Sequence, residues 1–117
     1  HVNNTRYYQY LEEARIEWLD GLGAHRRQVG QGLVLLTCTH HFLKPLFHPG
    51  TVVVELYAGV VGRTSLTLEH KMYSKGSPDL VGHGDVKMVW IDVASQRPIP
   101  VPDSVRAAMG AELLAAD

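Results

Sequence analysis

The sequence predicts an α+β domain in which a curved antiparallel β-sheet wraps around one long α-helix. Apolar residues recur at helical spacing through residues 4–22. From Leu33 to Val93 the texture changes to β-rich segments, cut by Pro49-Gly50, Gly62-Arg63 and Gly76-Ser77-Pro78-Asp79. A helix with an aromatic stripe must bury it, and the sheet is the only large apolar surface available, so helix on sheet is the economical arrangement. The chain's 117 residues and 13.0 kDa suit a single domain, 1–117, with one core.

The helix comes first. Tyr7, Leu11, Ala14, Trp18 and Leu22 lie at spacings of four, three, four and four, with Tyr8, Arg15 and Leu19 widening the stripe. Gln9, Glu13, Glu17 and Asp20 fall on the opposite side. Asn3, Asn4 and Thr5 can each cap the first turn by accepting from its unpaired amides, and Gly21 and Gly23 supply a termination. Four strands follow. The first runs from Leu33 to Leu43 and stops at Pro45; the second spans residues 51–61. Gly62-Arg63 turns the chain into the third, 64–74, where Leu66, Leu68, His70 and Met72 share one face. The fourth, 80–93, sets Val86, Met88 and Trp90 on one face, and its Gly82 and Gly84 mark a bulge or a close backbone approach. The run Pro98-Ile99-Pro100-Val101-Pro102 lacks the donors of a central strand, and Asp103 or Ser104 caps a last helix reaching about Leu114.

Composition excludes several classes. Eleven Lys and Arg against twelve Asp and Glu give a formal charge of −1, without the surplus of base that nucleic-acid binding needs. No apolar run reaches membrane-spanning length and no signal peptide is visible. The one cysteine, Cys38, cannot form an internal disulfide, so a reducing cytoplasm is the expected compartment and an inert thiol its expected state. Seven histidines invite a metal reading, but adjacent His40 and His41 point to opposite faces of a strand and no His-x-His pair occurs, so no metal is expected. His70, among apolar neighbours, reads as a satisfied buried or interfacial histidine. The chain opens without Met directly on a helix start, which points to residues upstream of His1.

The segment His1-Val2-Asn3-Asn4, running into Tyr10-Leu11-Glu12-Glu13-Ala14-Arg15, resembles the entry to the central helix of the 4-hydroxybenzoyl-CoA thioesterase-like hotdog proteins. The resemblance continues through Phe42-Leu43-Lys44-Pro45-Leu46, the Gly62-Arg63-Thr64-Ser65-Leu66 hairpin, Trp90-Ile91-Asp92 and the proline-rich tail. It implies a hotdog fold, a helix held in a five-stranded antiparallel sheet, assembled as a homodimer or homotetramer. It also implies hydrolysis of acyl-CoA or acyl-carrier-protein thioesters, with coenzyme A entering as part of the substrate and no separate cofactor. The family's first strand and its catalytic Asp would precede His1, so the expected acid lies outside this sequence.

Thioester hydrolysis needs an activated water or a carboxylate nucleophile, and donors aimed at the oxygen that becomes negative. A helix N-terminus supplies such donors from its unpaired amides. The candidates are therefore a backbone amide at Asn3 or Asn4, with the Asn3 side chain orienting water or fixing the loop; both asparagines also read as plain caps. His1 reads either as a partner of the missing carboxylate or as a loop histidine. Glu12 and Glu13 are the carboxylates of the helix's first half; Glu12, nearer the buried border, is the candidate base should the upstream acid be absent. Arg63, Ser65 and Lys44 are candidates for the coenzyme A phosphates, where Arg offers a forked donor, and Arg63 reads equally as an exposed turn residue. The reading from another class is a non-catalytic protein that binds acyl-CoA or an acyl carrier. A hotdog dehydratase stands behind both, because the helix entry resembles the thioesterase branch.

Overall fold

The computed structural model describes residues 4–22, 29–46 and 50–110. They form α1 (Asn4–Gly21), β1 (Gln31–Phe42), β2 (Val52–Val61), β3 (Ser65–Ser74), β4 (Leu80–Asp92) and α2 (Asp103–Ala108). The four strands make one antiparallel sheet in the order β1-β4-β3-β2. The fifth strand that the resemblance implies is not among the described residues.

Strand alternation divides the sheet into two faces. The inner one carries Leu66, Leu68, His70 and Met72 from β3 and Val86, Met88 and Trp90 from β4, all buried. The outer face carries cross-strand rows such as Glu55–Lys71–His83–His41, one residue from each strand. The inner face receives α1. Leu19 packs with Leu66, Leu68, Val86, Met88 and Trp90, while Tyr7 and Leu11 pack with Leu46, Met72 and Val81. Burying Leu11, 1% exposed, contributes about 1.5–3 kcal/mol relative to leaving it in water. The stripe sits slightly rotated from the expected one. Leu19, placed at its margin by spacing, is buried, whereas Tyr8 is 41% exposed. Cys38 touches both clusters and joins them.

The ends of the elements show local chemistry. The expected last helix stops at Ala108; Met109 and Gly110 turn, Gly110 at φ +67°, and the remainder of the span to Leu114 lies outside the described residues. Its N-cap is Pro102, not Asp103 or Ser104, because the Pro102 carbonyl already accepts from Val105 and Arg106. The proline tail runs beside the sheet using the amides that prolines leave free: Ile99 donates to Trp90 and Val101 to Arg63, with a bridge between Ile91 and Pro98. Arg106, 3% exposed, then reaches under the β2–β3 hairpin and donates to the carbonyls of Gly62 (2.8 Å) and Arg63 (3.3 Å).

Both readings of the β4 glycines hold. The β3–β4 register shifts between Met72 and Tyr73, opposite Val81 and Gly82, and both glycines lie where a neighbour crowds in. A methyl at Gly84 would overlap the Thr39 carbonyl, which is backbone and cannot step aside. Gly84→Ala should therefore cost about 3 kcal/mol, at the upper end for overpacking, read as a lowered urea midpoint with an unchanged slope. A variant as stable as the parent would show that β1 and β4 do not approach so closely.

Candidate functional site

The first turn of α1 presents the amides that no carbonyl within the helix can satisfy. What fixes this turn is Tyr7. Its ring is 3% exposed, meets Phe42 edge-on at 4.9 Å between centroids and lies 5.6 Å from the His40 ring. Its hydroxyl accepts the Leu46 amide at 3.0 Å. One aromatic side chain thus ties the helix start to β1 and to the segment after it, with both its apolar body and its polar tip matched.

Behind Tyr7 lies a buried imidazole pair. His40 on β1 and His70 on β3 are separated by β4, at the level of Gly84, which is paired with both. Because Gly84 carries no side chain, the two rings meet across it, nearly parallel, with His40 Nδ1 2.8 Å from His70 Nε2. The other nitrogen of His40, Nε2, is buried without a hydrogen-bond partner and faces Gly82, where a methyl would overlap the ring. This arrangement selects a tautomer. If Nδ1 donates, Nε2 is a bare acceptor; if Nδ1 accepts, Nε2 becomes a buried N–H with nothing to receive it, the costlier choice. Donation from His40 to His70 is therefore favoured.

Both rings are held neutral. Burial is the main cause, and for His70 the neighbouring His40, Arg15 and His83 add to it, pushing its pKa down to about 4. His40 is lowered by burial, then by His83 and His41. On the outer face His41 stacks on His83, 4.9 Å between centroids, so adjacent His40 and His41 do serve opposite sides of the sheet. Among the described residues no three of His, Cys, Asp and Glu are grouped to hold a metal ion. Burial raises the pKa of the Cys38 thiol and keeps it protonated.

The sequence candidates fall at different places. His1 and Asn3 lie outside the described residues; Asn4 opens α1. Glu12 is exposed, eight residues into the helix and so about 12 Å from its start. Lys44 stands at the same end of the molecule as Tyr7: its amide donates to Val81, and its ammonium pairs with Asp79 at 3.2 Å in the open. Arg63 and Ser65 stand at the other end, beside Trp90 and the Leu19 cluster, with the Ser65 carbonyl accepting the Gly62 amide. The two groups therefore flank opposite ends of α1. Sequence reading took His40 as a polar strand position and missed its partner. The available signal was the parity of His40 with Cys38 and Phe42 and of His70 with Leu68 and Met72, across a strand with glycines at 82 and 84.

A histidine whose folded pKa is depressed contributes stability that is complete above its unfolded value near 6.5 and is lost as pH falls through the folded value. With His70 at about 4, the urea midpoint should decline as pH is lowered from 6.5 toward 4. His70→Gln should decline less over pH 6.5 to 5.5. Equal declines in the two proteins would show that the pair is not buried neutral.

Comparisons with known proteins agree with this geometry. A family model described as the thioesterase-like superfamily matches residues 1–109. A crystal structure of a proposed thioesterase from Pseudomonas aeruginosa is 51% identical, covers 93% of this chain and 85% of its own, and superposes with a TM-score of 0.88. The structure of a gentisyl-coenzyme A thioesterase is 26% identical over 93% of this chain and 86% of its own, with a TM-score of 0.78. Among curated proteins, a chloroplastic acyl-acyl carrier protein thioesterase of Arabidopsis thaliana is 26% identical over 109 residues, 91% of this chain. The chain spans 57–60% of the length of the curated relatives it matches. The helix laid on an antiparallel sheet is the hotdog arrangement, and the chain belongs to the thioesterase-like superfamily.

Proposed function

We propose that this protein hydrolyses an acyl-CoA thioester to the free acid and coenzyme A at the N-terminal end of α1. The observation that carries the reading is the first turn of α1, a helix start that Tyr7 clamps to the sheet, where the helix dipole favours developing negative charge. A carboxylate upstream of His1 takes a proton from water. The oxygen attacks the carbonyl carbon, the amides at Asn3 and Asn4 hold the oxyanion, and collapse expels the thiolate, which takes up the proton. His1 tunes that acid or positions the water, and Asn3 orients it. Glu12, exposed and about 12 Å along the helix from this turn, takes no part in the step. Similarity to coenzyme A and acyl-carrier thioesterases supports the substrate class.

Lys44 shares an end with the proposed oxyanion site, so it is placed to meet the pantetheine or phosphates of the same substrate. Arg63 and Ser65, toward the other end of α1, stay proposed for the coenzyme A phosphates on the strength of the forked arginine donor. The homodimer or homotetramer is supported by β1, an edge strand with Val34, Leu35 and Leu36 all more than 40% exposed. A reducing cytoplasm fits the free Cys38. No described helix is long and apolar enough to cross a membrane.

The test is release of free thiol by the full-length protein from acyl-CoAs graded in chain length and from aromatic ones. Turnover is expected, abolished when the acidic residue just before His1 is changed to its amide. Lys44→Ala should raise KM about threefold to tenfold with kcat nearly unchanged, as loss of a charged contact made equally in ground and transition states would. Tight binding of acyl-CoA without turnover of any substrate would instead establish the non-catalytic binding protein.

A further inference from the structure

We propose that His40 and His70 act as a positioning pair that sets where the first turn of α1 stands, and with it the amides aimed at the thioester oxygen. The inference rests on the hydrolytic reading for its kinetic consequence, but its structural part stands separately. The sheet's inner face is otherwise apolar at this end: Met72, Val81 and Leu46 surround Tyr7 and Leu11, and apolar packing alone tolerates small slides. The imidazole pair does not. Its 2.8 Å bond fixes the His40 ring in one orientation over the glycines of β4, and Gly82 closes the space behind it. That ring is then one wall of the slot for Tyr7. Phe42, edge-on to both His40 (4.7 Å) and Tyr7 (4.9 Å), is the second wall, and the Leu46 amide on the Tyr7 hydroxyl is the stop at its tip.

A chain of contacts therefore leads from β3, over β4 and β1, to the fourth residue of the helix. The pair acts on the helix start through Tyr7, so both histidines are positioning residues. A displaced first turn would weaken oxyanion stabilisation while leaving the rest of the binding surface in place, and a misplacement of about 1 Å can cost up to about 100-fold in rate. The groups facing the pair are Tyr7 and Arg15 from α1, while His41 of β1 and His83 of β4 act on it only electrostatically, from the outer face of the sheet.

The experiment uses the full-length protein with His70→Leu, which keeps bulk but breaks the bond, and His70→Gln, which can bond to His40 Nδ1 again. Hydrogen exchange of the α1 amides is read first. In His70→Leu the amides of Tyr8 to Leu11, which close on the carbonyls of the first turn, should exchange about tenfold faster. Those of Trp18 to Gly21 should change little, and His70→Gln should return the former to near the parent rate. In the thiol-release assay the Leu variant should lose about tenfold in kcat with KM within twofold, and the Gln variant should recover most of it. Uniformly faster exchange along α1 in the Leu variant would mean general destabilisation, and would overturn the proposal. So would a folded Leu variant with parental exchange and parental kcat. If the parent protein hydrolyses no thioester, the function fails alone; the exchange pattern still decides the positioning role.

Discussion

The burial of one helix stripe on the inner face of one sheet is the constraint on which the molecule depends. Every strand contributes to that face, and both ends of α1 are tied to it by different means. At its C-terminal end Leu19 enters an apolar cluster that extends through Trp90 to Val105 and Met109 of the last segment. At its N-terminal end the attachment is aromatic and polar together, through Tyr7, Phe42, His40 and the Leu46 amide. An apolar contact resists separation but says little about orientation, whereas hydrogen bonds and edge-on rings have preferred angles. The directional contacts are placed at the N-terminal end of the helix.

The polar groups inside the sheet follow from the same constraint. A buried imidazole must be neutral and must find a partner, and on this face the nearest candidate lies two strands away. The pair forms only because β4 offers glycine where it would otherwise interpose a side chain. Arg106 meets part of a similar demand with backbone: its Nη2 donates to two carbonyls of a tight turn and fixes the hairpin against α2, while Nη1 is buried with no hydrogen-bond partner. In both cases a polar side chain links segments that are distant in sequence and that apolar packing would bring together only loosely.

Much of this was legible in the chain. The period of α1, the alternation of β3 and β4 and the turn residues place five elements within two residues of where they stand, because burial of one face writes itself into spacing. The last helix was read too long because its apolar spacing continues past Gly110, whereas the positive φ there ends it by backbone conformation. The cap at Pro102 was missed because a carbonyl, present in every residue, does the work that a side chain was expected to do. The candidate site was legible in kind, as a helix start beside His-Val-Asn-Asn, but not in its supports. The His40–His70 bond joins residues 30 apart and needs strand order as well as parity, and strand order is a property of pairing that no single segment carries.

The glycine lane in β4 has an evolutionary consequence. Positions 40, 70 and 82 form one steric and chemical unit, with Gly84 held to glycine separately by the Thr39 carbonyl: the His40 ring needs the missing side chain at 82, and it fills the space that side chain would take. Single substitutions within the unit are opposed from several sides, while a joint exchange to, for example, an aliphatic residue at 40 and alanine at 82 would relieve the clash and the polar demand at once. Relatives that have lost His40 should therefore have changed the facing Gly82 as well, and positions 40, 70 and 82 should drift through the family as a block.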